Sequence, residues 1–496
     1  VKFSLVLPAI VFVAIVAVPA CAQDATETSK KWTDPAPPEV KEVAADAIEP
    51  TAESFEELTF HAVPKPRAVS AVNAEWHRFL GPTDDGATSE TNLLANFPDT
   101  GPPLVWEMEK GTGYTSPVIA DGRLVFFTRI GDRETIMALE PETGKKFWQQ
   151  DYPIEYRDRY GFNNGPRASA VIDSGKVYTL GVTSVLSCLD LKTGTLLWRR
   201  DLDAEFEVEE YFFGHGACPL VYGGKVIVNL GGGGGLCVAA FDQHNGKLVW
   251  GTEHEWRASY ASPVVKKLRG EDRLLVFAGG DSRPPVGGLL CIDPETGELF
   301  DDFPWRSDKY ESVNGSTPIA VGDDRVYISD CYSKGGVLLE LGEDLKWKEV
   351  WQAPDFGIHW NTPVQKDGYL YAFRGRNEPD AWLACYSAET GEEKWRDDLQ
   401  WTIKVGESDY RMAFFRGSIL QADGRFYCLG ELGSFAVLAM NPAGVEVTSR
   451  AQLFTARSTW SLPVVSNGLL YLMQHEDAYD GSSSARMLCY DLRAGE

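Results

Sequence analysis

Positive charge is scarce in this sequence: 47 Lys and Arg stand against 72 Asp and Glu, a net charge of −25. A field of that sign repels phosphate backbones and anionic bilayer surfaces, which excludes nucleic acid as a partner; the acidity itself reads as a solvated surface that keeps the chain dissolved. Metal-ligand spacing is missing as well. None of the nine cysteines forms Cys-x-x-Cys or a haem attachment motif, and Cys218, Cys237, Cys331 and Cys428 have no metal-ligand spacing among themselves, so no metal site is indicated. There is no Gly-x-Ser-x-Gly elbow and no His-Glu-x-x-His pair. The five glycines Gly231 to Gly235 are not followed by Lys-Ser/Thr, which makes them a strand-linking turn and not a phosphate cradle. Asp84-Asp85-Gly86 and Asp323-Asp324 lack the continuation of a calcium loop and read as turns.

What the sequence does contain is turn and strand material. Gly (48), Trp (15), Tyr (19) and Phe (24) accompany abundant Val, Leu and Thr, a mixture that favours strands and tight turns over long helices. At the N-terminus, Lys2, the apolar run from Phe3 to Val18 and then Pro19-Ala20-Cys21-Ala22 read as a bacterial-type export signal over 1–22. Two processing outcomes stand open: ordinary cleavage after a small-x-small site, or a lipobox whose Cys21 carries an acyl chain. The expected location is the periplasm or cell envelope, with membrane association only through such a lipid anchor. Residues 23–75, rich in Ala, Pro and Glu and without a periodic apolar face, predict a disordered acidic linker; 76–100, with Trp76-His-Arg-Phe-Leu-Gly-Pro82, predicts an extension packed on the domain that follows.

From Gly113 onward a pattern returns roughly every 42 to 59 residues, the period of propeller blades. A small residue, often followed by Pro, opens each copy: Ser116-Pro117, Ser169-Ala170, Cys218-Pro219, Ser262-Pro263, Thr317-Pro318, Thr362-Pro363, Ser418-Ile419 and Leu462-Pro463. A second signature follows, as in Ala138-Leu-Glu-Pro-Glu-Thr-Gly-Lys-Lys-Phe-Trp148 and Cys188-Leu-Asp-Leu-Lys-Thr-Gly-Thr-Leu-Leu-Trp198. The Asp and Thr hold the turn backbone, the Gly supplies positive φ, and a Trp on the next strand fills the wedge between blades that cannot bury their faces alone. Trp106, Trp148, Trp198, Trp250, Trp351 and Trp395 are the structural docking residues on this reading. Cys188, Cys291, Cys385 and Cys489 fall where Ala138 and Ala240 stand in other copies, so the position reads as a small buried strand site and not as a disulfide framework.

Ala-x-Asp-x-x-Thr-Gly-x-x-x-Trp is similar to the tryptophan-docking motif of the PQQ-like (pyrroloquinoline quinone-like) β-propeller superfamily, and the arrangement resembles the family of the outer-membrane assembly lipoprotein BamB and related PQQ-binding-like repeat proteins. The resemblance covers roughly 101–496 and weakens around Leu341-Gly-Glu-Asp344 and Met440-Asn-Pro-Ala-Gly444. It implies an all-β, eight-bladed propeller over 101–496. Because the eighth copy stops before its Trp strand, Pro102-Pro-Leu-Val-Trp106 is expected to supply that strand from the N-terminal side and leave no open edge. The superfamily's dehydrogenases would bring pyrroloquinoline quinone, calcium and an Asp base. The adjacent cysteine pair of those enzymes is missing here, and their Glu/Asn/Asp calcium cluster maps onto no stretch of the chain. No cofactor and no catalytic residue are therefore expected.

Register also locates a candidate rim. The residue three before the Pro position in each copy, with its neighbour, gives Tyr114, Arg167, His215, Tyr260, Asn314, His359, Trp360, Arg416 and Trp460 around one end of the channel. Flat aromatics beside Arg, Asn and His are the residue types of recognition surfaces, and they also serve as filler between blades. The expectation is a non-catalytic envelope scaffold that binds proteins, with a glycan as another ligand and a PQQ-dependent alcohol dehydrogenase with calcium as the competing class.

Overall fold

A computed structural model describes residues 32–209, 212–280, 283–377, 380–405 and 407–495. The expected signal peptide and Cys21 lie outside them. The sheets form an eight-bladed β-propeller whose blades span 118–153, 171–201, 220–253, 264–304, 319–353, 364–397, 418–452 and 464–491, the last completed by Leu104–Glu109. That N-terminal strand pairs antiparallel with Arg486–Asp491, Trp106 opposite Cys489, so the ring closes as its sequence predicts. Leu58–Phe60 then adds a fifth strand outside it.

The repeat chemistry explains the joints. Trp106, Trp148, Trp198 and Trp351 each donate their indole N–H to a carbonyl of the following blade, those of Pro141, Leu191, Gln243 and Ala388, at 2.9–3.3 Å. The turn glycine of that blade lies flat on the indole: a Cβ at Gly144, Gly194, Gly246, Gly297 or Gly391 would stand 2.5–2.9 Å from the ring of Trp106, Trp148, Trp198, Trp250 or Trp351. Glycine is thus required twice, by its positive φ and by the closeness of the Trp. Blade 4 carries no Trp there, and Asp301 takes over by accepting from the Trp347 backbone N–H at 2.7 Å. The Cys/Ala site lies between two aromatics. Cys188, Cys385 and Cys489 face Tyr178, Tyr371 and Tyr471 on one neighbouring strand and Trp198, Trp395 and Trp106 on the other, leaving room for a small residue only. All eight described cysteines are free and seven are buried.

Residues 34–75 depart from the expected disordered linker and strap the ring. Asp34 reaches the fully buried Arg200 of blade 2 and the backbone of Leu248 in blade 3; the Lys41 N–H bonds Leu197 in blade 2; Glu53 bridges Lys146 in blade 1. One short strand, scattered ladder bonds and ion pairs to the buried Arg200 and Arg123 hold this segment, so no apolar period marks it in the sequence. The chain then turns under the ring. Trp76, fully buried, pairs with Ile119 on the first strand of blade 1. His77 bonds blade 2, Asp84 receives Lys266 of blade 4, and Gly86 and Thr88 bond Gln421 of blade 7. These are the innermost strands, which touch one another around the axis, so 76–88 crosses one end of the channel. The opposite end, where the innermost strands begin, is left as the mouth.

Candidate functional site: the channel mouth

Antiparallel blades place the links between blades, and the turns between second and third strands, on the mouth side. The rim residues therefore arrive together, each from the link before its blade. Trp460 is the hub: its ring centroid lies 5.2 Å from Tyr114, 6.3 Å from Trp360 and 5.9 Å from Phe162, and the Arg416 guanidinium lies 4.9 Å from its centroid. Glu431 organises this side, accepting from the Trp460 indole at 2.9 Å and pairing with Arg416. Arg167 sits over Tyr114 and is held by Asp158 at 2.6 Å and by the carbonyls of Gly165 and Asn163. Tyr260 joins through Phe213, whose N–H its hydroxyl accepts at 2.9 Å.

Three rim residues serve the scaffold instead. Asn314 is fully buried and donates to the Ala278 carbonyl at 2.8 Å, tying the link before blade 5 to blade 4. His215 is buried with Nδ1 3.2 Å from the Ser184 hydroxyl, and Nε2 of His359 lies 2.9 Å from the Tyr332 hydroxyl. Burial lowers the His215 pKa to about 4, and lowers that of His359 further, to about 3, with Arg416 and Arg376 adding to the effect. His475, buried against Tyr114, is also lowered, by burial and then by Lys110. These folded-state values lie below the unfolded one, so the unfolded chain binds more protons between them. Stability is then complete above about pH 6.5 and falls with pH toward 4, by about 1.4 kcal/mol per pH unit for each fully buried histidine. Urea titrations at pH 7 and pH 5 should show the drop, and His215→Gln should reduce its slope by about one histidine's share.

The register does not point to the outer layer of the mouth. Among the described residues, the exposed aromatics outside the strap are Tyr160, Phe162, Tyr310, Tyr410 and Tyr479, and every one belongs to a mouth-side connection. The first three form a continuous shelf: Phe162 meets Phe213 and Trp460, Tyr160 meets Phe212 and Phe213, and Tyr310 stands edge-on to Phe212 at 5.6 Å. Asp158 holds the shelf loop by accepting from the N–H groups of Tyr160 and Phe162. Arg283 and Arg457 cover Tyr310 and Tyr479 at 4.6 and 5.4 Å. The one available sequence signal was aromatics such as Tyr160-Gly-Phe162 and Phe212-Phe213 inside links, outside the repeat register.

Eight four-stranded blades joined by Trp on Gly define a PQQ-like β-propeller. Residues 132–395 match the family model described as outer membrane protein assembly factor BamB, and the chain belongs to that family. It is 27% identical over 330 residues to the quinohemoprotein alcohol dehydrogenase ADH-IIG of Pseudomonas putida, covering 58% of this chain and 44% of that protein. To a quinoprotein ethanol dehydrogenase of Pseudomonas aeruginosa it is 27% identical over 264 residues, 49% of this chain and 41% of the enzyme. The chain thus spans less than half the length of these relatives. Among solved structures, a europium-containing methanol dehydrogenase superposes with a TM-score of 0.60 at 11% identity, covering 84% of this chain and 98% of that one. BamB of Moraxella catarrhalis superposes with 0.51 at 15% identity, covering 79% and 100%. Identities this low establish the shared fold alone.

Pyrroloquinoline quinone with calcium, which the dehydrogenase relatives bring to mind, does not fit the residues present. The quinone is a flat polyanion that needs free cations and an open slot. Three mouth arginines are already paired, Arg167 with Asp158, Arg416 with Glu431 and Arg376 with Glu311, and the rings of Tyr114, Phe162 and Trp360 close on Trp460 in tilted contacts that fill the space between them. Among the described residues no three His, Cys, Asp or Glu side chains are placed to hold a metal ion.

Proposed function

We propose that this chain is a non-catalytic propeller of the cell envelope that docks a protein through its mouth face. The observation that carries this is the placement of the exposed aromatics outside the strap, among the described residues: Tyr160, Phe162, Tyr310, Tyr410 and Tyr479 all lie on the mouth side, while residues 76–88 cross the other end. Tyr, Trp and Arg are the residues that dominate binding energy at protein interfaces, and here they are pre-positioned by Asp158 and Glu431. The envelope location rests on the export-type N-terminus and on membership of a family described by outer-membrane protein assembly. No helix among the described residues is long and apolar enough to cross a membrane.

A photo-crosslinking residue at Phe162, with a second at Glu389 on the strap side, tests the reading in intact envelopes. A discrete crosslinked protein from Phe162 and none from Glu389 is expected. Phe162→Ala should weaken the purified pair by about 2 kcal/mol, roughly 30-fold in Kd. Equal crosslinking from both faces would remove the mouth from consideration. Uptake of added pyrroloquinoline quinone and Ca²⁺ with dye-linked alcohol oxidation would replace the scaffold by a dehydrogenase.

A further inference from the structure

Between blades 6 and 7 the link rises into a separate two-stranded sheet, Trp401–Val405 against Ser408–Met412. Its root is fixed to the ring: Trp401 packs on Phe414 at 5.1 Å, Arg450 covers the Trp401 ring at 4.2 Å, and Met412 is buried. Beyond the root, Ser408 to Arg411 are all exposed, Tyr410 by 51%. A free-standing hairpin of this length is marginal, and its outer edges present unpaired N–H and C=O groups. On blade 8 such an edge is covered by Leu58–Phe60, and single strap bonds reach the outer strands of blades 1 and 2.

We infer that the Ser408–Met412 edge pairs antiparallel with the same edge of a second copy, about a two-fold axis at Tyr410. The ladder geometry selects this register. A two-residue connection makes Val405 and Ser408 the hydrogen-bonded pair that flanks it, and the alternation of an antiparallel ladder then turns the N–H and C=O of Asp409 and Arg411 outward. Centring the pairing on Tyr410 sets Asp409 opposite Arg411 of the second copy, and Arg411 opposite its Asp409. Both are outward-facing residues, so four backbone hydrogen bonds form. Two opposite-charge pairs accompany them, and the tyrosines face each other as a close, non-hydrogen-bonded pair. A shift by one residue either way sets Asp409 against Asp409 or Arg411 against Arg411. Charge therefore fixes the register, and the contact is isologous, as a two-fold dimer requires. Arg411 has no carboxylate partner among the described residues of its own chain, while Asp409 has Lys404 at 3.3 Å, so the second copy supplies what Arg411 lacks. A five-residue strand contact lies below the size of a permanent interface, so the dimer is weak and concentration-dependent.

Sedimentation equilibrium of the full chain from about 1 µM to 1 mM reads the association directly. Asp409→Arg alone and Arg411→Asp alone should each weaken it at least about tenfold, by placing like charges opposite each other. The double variant Asp409→Arg/Arg411→Asp recreates the complementarity and should restore it. Tyr410→Cys should form an intermolecular disulfide under mild oxidation far faster than the parent chain, since the paired Cα atoms would stand about 4.5 Å apart. A chain that stays monomeric throughout, or a dimer indifferent to both single swaps, or a Tyr410→Cys chain that oxidises no faster than its parent, overturns the inference.

Discussion

Trp106→Ala should lower the stability of the ring by about 3–5 kcal/mol, whereas Trp395→Ala, the same residue type at the same place in the repeat, should cost well under half of that. Trp106 is completely buried on the strand that closes the ring; its indole donates to Pro141 and its face lies against Gly144 of blade 1. Its loss leaves a cavity at the seam where the strand before blade 1 completes blade 8. Trp395 makes the equivalent bond, to the Asn441 carbonyl at 2.7 Å, but from a partly exposed position beside the degenerate seventh repeat. Water can fill the space it vacates. Urea midpoints of the two variants, measured side by side, decide the point; equal losses would mean that burial at the joints is not what stabilises the ring.

Asp34→Ala should release the strap. Arg200 is wholly buried, and its guanidinium is shared among Asp34 at 2.6 Å, Glu205 at 2.7 Å and the Gly246 carbonyl at 2.7 Å. Burial raises the Asp34 pKa, but the Arg200 hydrogen bond and the Leu248 N–H outweigh it, and the net shift is downward, so the carboxylate stays charged. Deleting it strands a buried cation with one carboxylate instead of two, a loss of about 2–3 kcal/mol, at the low end for broken buried pairs because Glu205 remains. Limited proteolysis should then cut between 34 and 57 in the variant and spare the parent. Asp34→Ala combined with Arg200→Met should recover much of the stability, since the uncompensated charge is gone, yet leave the strap cleavable. Unchanged proteolysis in both variants would show that Leu58–Phe60 and the Glu53 bridge hold the strap without the buckle.

The ring was legible because its rules repeat. Gly144, Gly194 and Gly246 recur at one spacing from Trp148, Trp198 and Trp250, so each eleven-residue motif carries one half of two joints, its Gly receiving the Trp of the blade before and its Trp reaching the Gly of the blade after. The eighth blade's missing strand was legible for the same reason, since a gap in a repeat can be seen. The strap was not: Asp34 finds Arg200 and Glu53 finds Lys146 across long stretches of chain, and pairings that occur once leave no period. At the mouth, register points to Tyr114, Trp360, Arg416 and Trp460, and these four meet around the Trp460 ring, because the residue before each innermost strand has the same place in every blade. It did not separate Asn314 and His215, which bond the scaffold, from the rest. Nor did it find Tyr160, Phe162 and Tyr310, whose links differ in length and conformation from blade to blade.

The seam at Leu104–Glu109 also sets an order of events. A chain made from its N-terminus holds this strand before any blade, but its partner, Arg486–Asp491, follows only after the other seven blades. Until then the first strand waits with an unsatisfied edge while blades 1 to 7 assemble beside it, a long-range pairing of the kind that folds late and exposes a template for wrong partners meanwhile. Leu58–Phe60 can occupy the far side of that strand early, from close by in sequence. Of that strand's two edges, Leu58–Phe60 covers one, so a single open edge is left for Arg486–Asp491 to close.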